Sequence, residues 1–248
     1  MATIAVGDVH GNYAALEDLL ARVVPDLTPD DTLVFLGDLI DRGSRSREVI
    51  ERVAQLRAES AFEVVVLMGN HEEWMLKSMR NPCSHSWLVG MGAFYTIASY
   101  SMEVACLLRD GLRQAGMAAF EEKTPLPYNL FFDKLPATHR AVFESLQLFH
   151  STPDVVCVHG GIDLQGRTEN IDAETFIWGT AGFPEEYSGR QRVVYGHRND
   201  AKEDENGWPQ PCVMHDRTYG IDSILTGVLT AMRFPDGKIY QSARHRGG

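Results

Sequence analysis

Apolar and polar positions in the first 70 residues alternate between two periods. Thr3 to Val6, TLVFL at 32–36 and VVVLM at 64–68 are short apolar stretches of strand length. Between them, Leu16, Leu19, Leu20 and Val23 recur at helical spacing until Pro25 ends the run, and Val49, Ile50, Val53 and Leu56 repeat the pattern. The βαβαβ order predicts an α/β fold with a largely parallel sheet covered by helices. From 74 to about 150 the habit changes: WMLKSM, AFYTIASY, EVACLLRDGLRQAGMAAF and ATHRAVFESLQLF all favour helix, which predicts a helical insertion within one domain spanning 1–248. Strands are predicted again at VVCV (155–158) and VVY (193–195), and in GVLTAMRF and KIYQ, which flank the turn signal Pro235-Asp236-Gly237.

Each of five predicted strands runs into residues of ligand type. TIAV leads into Gly7-Asp8-Val9-His10-Gly11, TLVFL into Gly37-Asp38, VVVLM into Gly69-Asn70-His71, VVCV into His159-Gly160-Gly161, and VVY into Gly196-His197. In α/β sheets the carboxyl ends of the strands meet at the crevice where ligands bind, so these groups can converge. Carboxylate, imidazole and amide donors without a thiolate suit manganese, iron or zinc in an open catalytic site better than a structural zinc. A carboxylate held between two ions can bridge them, and Asp38 is the candidate. Taken singly, Asp8 and Asp38 read as turn or cap residues and Asn70 as a helix cap; the shared habit of five strand ends favours one common site.

GDVHG, GDLIDRG, GNHE, VHGG and YGH, in this order and spacing, resemble the motifs of the phosphoprotein phosphatase (PPP) branch of the metallophosphoesterases, especially its compact bacterial and phage members. The resemblance covers most of the chain outside the insertion. It implies a calcineurin-like metallophosphoesterase fold, two packed mixed β-sheets flanked by helices in a four-layer αββα sandwich. It also implies two divalent metal ions, manganese first with iron or zinc also suited, one held by Asp8, His10 and Asp38 and the other by Asp38, Asn70, His159 and His197. A hydroxide shared by the ions would attack phosphorus in line, with no covalent phosphoenzyme. Arg42 and Asn70 would bind the phosphoryl oxygens, His71 would protonate the departing oxygen, and Asp41 would orient His71 and favour its protonated form. A salt bridge to Arg42 is the plainer reading of Asp41, and Glu72 receives only a supporting place. Many bacterial relatives carry an arginine shortly after a tryptophan in the region of FIWGTAGF, but here Gly179 and Thr180 follow Trp178. Arg190, Arg192 and Arg198 are the candidates to replace that phosphate contact, and Arg198, directly after His197, is the one favoured.

The activity expected from the resemblance is that of a serine/threonine protein phosphatase, with tyrosine as a further substrate, acting on a phosphorylated protein or peptide. The nearest alternative is symmetrical diadenosine tetraphosphate hydrolysis, which shares the metal motifs; the DRG and the Glu of GNHE look more like the protein phosphatases. A non-catalytic module that binds a phosphorylated partner is the alternative from another class. The chain has no Cys-x5-Arg loop and no P-loop, which removes cysteine-nucleophile and P-loop chemistry. A net charge of −11 argues against broad attraction to nucleic acid or anionic lipid, and no apolar run reaches the roughly 18 residues of a membrane span. The N-terminus carries no basic leader, and Cys83, Cys106, Cys157 and Cys212 lie far apart without metal-site spacing. A soluble, cytoplasmic chain with reduced thiols is the expectation.

Overall fold

Alternate side chains of the central strands face two different apolar environments, which is why these strands read as unbroken apolar runs. The computed structural model describes residues 1–121 and 123–245. It begins with β1 (Thr3–Val6), α1 (Tyr13–Val23), β2 (Thr32–Phe35), α2 (Ser46–Glu59), β3 (Glu63–Val66) and α3 (Asn70–Arg80). Ile4, Val6, Leu33, Phe35 and Val66 pack on Leu16, Leu19, Val49 and Val53 of the helices. Ala5, Val34, Leu36 and Val65 face the other way, onto a second sheet. The insertion follows as α4 (Ser86–Gly90), α5 (Ala93–Tyr100), α6 (Met102–Ala115), α7 (Met117–Phe120), α8 (Asn129–Phe132) and α9 (Ala137–Glu144). Trp87, Ile97, Leu108 and Phe131 of these helices join the core beneath α2.

The second half contributes β4 (Phe149–Ser151), β5 (Val155–Val158), α10 (Ala173–Trp178), β6 (Arg192–Tyr195), β7 (Lys202–Glu203), β8 (Pro209–Gln210), β9 (Cys212–Met214), β10 (Thr218–Gly220), β11 (Thr230–Phe234) and β12 (Ile239–Gln241). One sheet has the order β12-β11-β1-β2-β3 and the other β4-β5-β6-β10-β9. Both are mixed, because β11 and β9 run antiparallel to their central neighbours. Val155, Cys157 and Val194 fill the space between the sheets, while Val156, Val158 and Val193 pack outward on Phe176 of α10 and on Phe183. This is the calcineurin-like metallophosphoesterase architecture of two sheets flanked by helices.

Register decides where the chemistry falls. Val6 pairs with Phe35 and Phe35 with Val66, so three parallel strands end level with one another. In the second sheet Val158 pairs with Tyr195 and Tyr195 with Gly220, giving three more level ends. The residues just past these ends are Asp8, Asp38, Asn70, His159, His197 and, unforeseen from sequence, Asp222. The short strands β4 and β7 to β10 were not anticipated, since two or three residues carry no readable alternation.

Candidate metal centre

The turns that follow the strands hold strained backbone where the functional groups sit. His10, Asp38, Asp41, Arg42 and His197 adopt φ values of 46°, 50°, 68°, 63° and 66°, in the left-handed region that non-glycine residues rarely enter. Each such residue costs on the order of 1–3 kcal/mol unless its surroundings hold it. At two glycines those surroundings leave no room for a side chain. A Cβ on Gly69 would lie 2.2 Å from Asp38 Oδ1, and one on Gly196 would lie 2.1 Å from Asp8 Oδ1, so both carboxylates approach bare backbone.

Each imidazole is held by one nitrogen and presents the other. His10 Nδ1 is 3.0 Å from the Ile40 carbonyl and His159 Nδ1 is 2.9 Å from that of Leu36. That leaves His10 Nε2 at 3.6 Å from Asp38 Oδ2 and 3.9 Å from Asp8 Oδ2, and His159 Nε2 at 3.5 Å from Asp38 Oδ1. Asn70 Oδ1 lies 3.0 Å from both His159 Nε2 and His197 Nδ1. The His197 main-chain N–H donates to both oxygens of Asp8, at 3.1 and 3.0 Å. Asp38 therefore stands between two groups of donors, His10 with His71 on one side and His159 with His197 on the other. All six expected ligands are brought together, and five of them are buried, with His197 half-buried.

His71 and Asp41 form a pair beside this cluster. His71 Nδ1 is 2.8 Å from Asp41 Oδ2, both side chains are fully buried, and His71 Nε2 points toward Asp38 Oδ2 at 3.8 Å. Asp41 makes no ion pair with Arg42 among the described residues, contrary to the plainer reading of DRG. Asn70 does not cap α3 either: it is the first residue of the helix and Gly69 is the cap. Burial pushes Asp41 up to about 7 and His71 down to about 3, opposing charge on both groups. The 2.8 Å contact lets the pair share one proton, and in either arrangement of that proton Nε2 carries an N–H. Arg42 is exposed, makes no side-chain hydrogen bond among the described residues, and its charge lowers Asp8, Asp38 and Asp41 alike.

The donors fit divalent cations. His10 Nε2, His71 Nε2 and Asp222 Oδ1 are buried polar atoms with no hydrogen-bond partner, an arrangement that costs free energy unless something else satisfies them. Burial and the neighbouring carboxylates hold Asp8 and Asp38 well above the usual range, and burial holds His10 and His159 well below it. Unpaired acidic oxygens facing neutral imidazoles are what cations would relieve. Asp222 joins this field: burial raises it to about 6, it accepts the Asn199 N–H at 2.9 Å, and it acts on both Asp8 and Asp38. Its signal in the sequence was the carboxylate after TYGI, hidden because TYG was not recognised as a strand. Glu72 takes the supporting place expected of it, its buried carboxylate accepting the N–H groups of Asp38, Leu39 and Ile40 at 2.9, 2.9 and 3.3 Å.

A cleft of about 500 Å³ opens beside the centre, lined by Trp178, Glu185, His197, Arg198 and Lys202 among others. Trp178 donates its indole N–H to Glu73 at 2.8 Å and packs against His197 with ring centres 5.8 Å apart. The guanidinium of Arg198 lies 3.4 Å from where a side chain on Gly179 would start. It thus occupies space next to the residue that follows Trp178.

The chain matches the model of the calcineurin-like phosphoesterase family over residues 1–227. It is 29% identical over 245 residues to the bis(5'-nucleosyl)-tetraphosphatase PrpE [asymmetrical] of Halalkalibacterium halodurans, covering 93% of this chain and 89% of that protein. It is 42% identical over 72 residues to the symmetrical bis(5'-nucleosyl)-tetraphosphatase of Xanthomonas campestris pv. campestris, a match spanning 29% of this chain and 21% of that enzyme. The cold-active protein-tyrosine phosphatase of a psychrophilic Shewanella has the same fold, with a TM-score of 0.58 at 18% identity over 97% of this chain and 80% of that one. With level strand ends, a cation-fitting cluster and a family match over nearly the whole sequence, this chain belongs to the calcineurin-like phosphoesterases and is a metal-dependent phosphoester hydrolase.

Proposed function

We propose that this hydrolase removes phosphate from phosphorylated serine and threonine side chains, and from tyrosine, by direct in-line attack on phosphorus. The observation that carries the reading is the buried His71–Asp41 pair at 2.8 Å with Nε2 facing the cluster. An alkoxide leaving group needs a proton as its bond to phosphorus breaks, and a positioned imidazole supplies one, typically worth about 10²–10⁴ in rate. A leaving group that is already a stable anion has little use for such a donor.

In this reading Asp8, His10 and Asp38 would hold one divalent ion and Asp38, Asn70, His159 and His197 a second, manganese being the first choice for assay. Two ions bound there would supply Lewis acidity and water activated near neutral pH. The chain's own groups do the rest. Arg42 reaches over the cluster from solvent and binds the phosphoryl oxygens as their charge grows, with Asn70 beside them. Arg198 adds a second cationic contact from the cleft side. Asp41 keeps the His71 ring in plane, and Glu72 holds the turn that carries Asp38.

A second reading, hydrolysis of dinucleoside tetraphosphates, is favoured by the likeness to PrpE, a bis(5'-nucleosyl)-tetraphosphatase. The cleft beside His197, with Trp178, Arg198 and Lys202 on its walls, offers an aromatic face and two cations to a nucleotide. The deciding experiment compares phosphate release from a phosphoserine peptide with cleavage of diadenosine tetraphosphate by metal-stripped enzyme restored with Mn²⁺. Asp38→Asn reports contaminating activity. Faster turnover of the peptide supports the protein phosphatase. Faster cleavage of the dinucleotide overturns it, and the products then separate symmetrical cleavage into two ADP from asymmetrical cleavage into ATP and AMP.

A further inference from the structure

Asp41 owes its position to residues outside the βαβαβ frame. Its carboxylate Oδ2, which holds His71, also accepts the indole N–H of Trp87 at 2.9 Å. Oδ1 accepts the Thr96 hydroxyl at 2.5 Å, and the Asp41 main-chain N–H donates back to Thr96 Oγ1 at 2.8 Å. Ser46 of α2 adds a contact from the frame, 3.2 Å from the same N–H and 3.1 Å from the Thr96 hydroxyl. Trp87 lies on α4 and Thr96 on α5, both in the insertion. Met91, between them, places its sulfur 3.8 Å from Asn70 Nδ2, the end of the amide that faces away from His159 and His197.

These contacts are built into the core. Trp87 is fully buried, and its ring packs on Phe131 and Phe132 of α8 at 5.6 and 6.2 Å between centres. A buried indole N–H needs an acceptor, and a buried carboxylate needs donors on both oxygens, so each satisfies the other. With one donor fixed on each oxygen the carboxylate plane cannot turn, and the His71 ring, tied to Oδ2, cannot turn with it. Rigid support of this kind separates a productive geometry from one that is merely nearby.

We infer that Trp87 and Thr96 are positioning residues, through which the helical insertion holds the Asp41–His71 pair in its proton-donating orientation; this rests on the reading of His71 as the proton donor. The insertion is then part of the catalytic apparatus as well as a wall beside it.

The test uses the full-length Mn²⁺-loaded enzyme with two esters. In p-nitrophenyl phosphate the leaving group departs without help, whereas in a phosphoserine peptide it needs a proton. His71→Asn sets the reference, with a large loss on the peptide and a small one on the aryl ester. Trp87→Phe, which keeps the ring and deletes the N–H, is expected to lower kcat on the peptide roughly 10- to 100-fold and on the aryl ester less than about 3-fold, with KM unchanged. Thr96→Val should show the same split and Thr96→Ser should restore the parent ratio. If Trp87→Phe does not fold, the Thr96 variants carry the test alone. Equal losses on both esters would mean that these residues only support the fold, which overturns the inference. Absence of a split in His71→Asn itself removes the assignment of His71, and the inference falls with it.

Discussion

Glu72→Gln is the substitution whose outcome can be worked out most fully from the structure. The Glu72 carboxylate is fully buried in the first turn of α3; Oε2 accepts the Asp38 N–H, and Oε1 accepts those of Leu39 and Ile40. A glutamine amide has one acceptor, so in either orientation its NH₂ faces at least one main-chain N–H. The better orientation keeps Oε1 on Leu39 and Ile40 and leaves the Asp38 N–H without an acceptor, at a cost of about 1–3 kcal/mol. Burial raises the Glu72 carboxyl to about 7, so removing its charge recovers part of that cost near neutral pH, and a net loss of about 1–2 kcal/mol is expected. For a chain of this size that is roughly a 2–8 °C fall in Tm. Glu72→Ala, which orphans all three N–H groups and leaves a cavity, should lose roughly 3–5 kcal/mol. Because the lost bond is on Asp38 itself, Mn²⁺ affinity of Glu72→Gln should fall about 10- to 100-fold. Thermal melts and Mn²⁺ titration by calorimetry measure both quantities. A Glu72→Gln protein with unchanged Tm and unchanged Mn²⁺ affinity would refute the claim that this carboxylate holds the Asp38 turn.

Three other outcomes follow from the same geometry. Arg42→Ala removes an exposed side chain without hydrogen bonds among the described residues, so stability should stay within about 0.5 kcal/mol while kcat/KM drops at least about 100-fold. A parallel loss of stability would mean that Arg42 supports the turn and not the substrate. Arg198→Ala should weaken competitive inhibition by inorganic phosphate and lower turnover; if both are unchanged, Arg198 does not stand in for the arginine missing after Trp178. In the metal-stripped protein the stability contributed by the burial-raised carboxyls should be lost as pH rises from about 4 to about 7. Asp41, Glu72 and Asp222, raised by burial to about 7, 7 and 6, give stability that is complete below their unfolded values near 4 and is lost as each ionises in the folded state. The buried histidines, lowered by burial, act in the opposite sense as the unfolded imidazoles titrate around 6.5, so the carboxyl contribution is read as the Tm difference between the parent and Glu72→Gln. That difference should shrink as pH rises from about 4 to about 7, and a difference that grows with pH would contradict the account.

Much of the centre was legible because it follows from local pattern. Strand length, apolar continuity and the abrupt change to Asp, His or Asn at five strand ends are short-range features, and parallel register then brings the ends level. What escaped notice depends on contacts between distant segments. Asp222 follows a three-residue strand whose pairing with β6 exists only in the folded sheet. Trp87 reads as core aromatic, and it is, but its N–H finds Asp41 across 46 residues of sequence. Glu72, the last residue of GNHE, was read as supporting, and its partners, the N–H groups of the turn after β2, appear only in the fold. For His71, pairing with Asp41 was visible in the motifs, whereas the depth of burial that opposes charge on both groups was not.

The most direct measurement is the metal content of the chain, counted by elemental analysis after Mn²⁺ loading and desalting, alongside phosphoesterase activity. Two ions per chain are expected for the parent protein, with Asp38→Asn losing both the second ion and turnover, since that carboxylate stands between the two donor groups. A parent chain that is fully active with one ion or none, or an Asp38→Asn variant that keeps two ions and full activity, would contradict a shared two-metal centre.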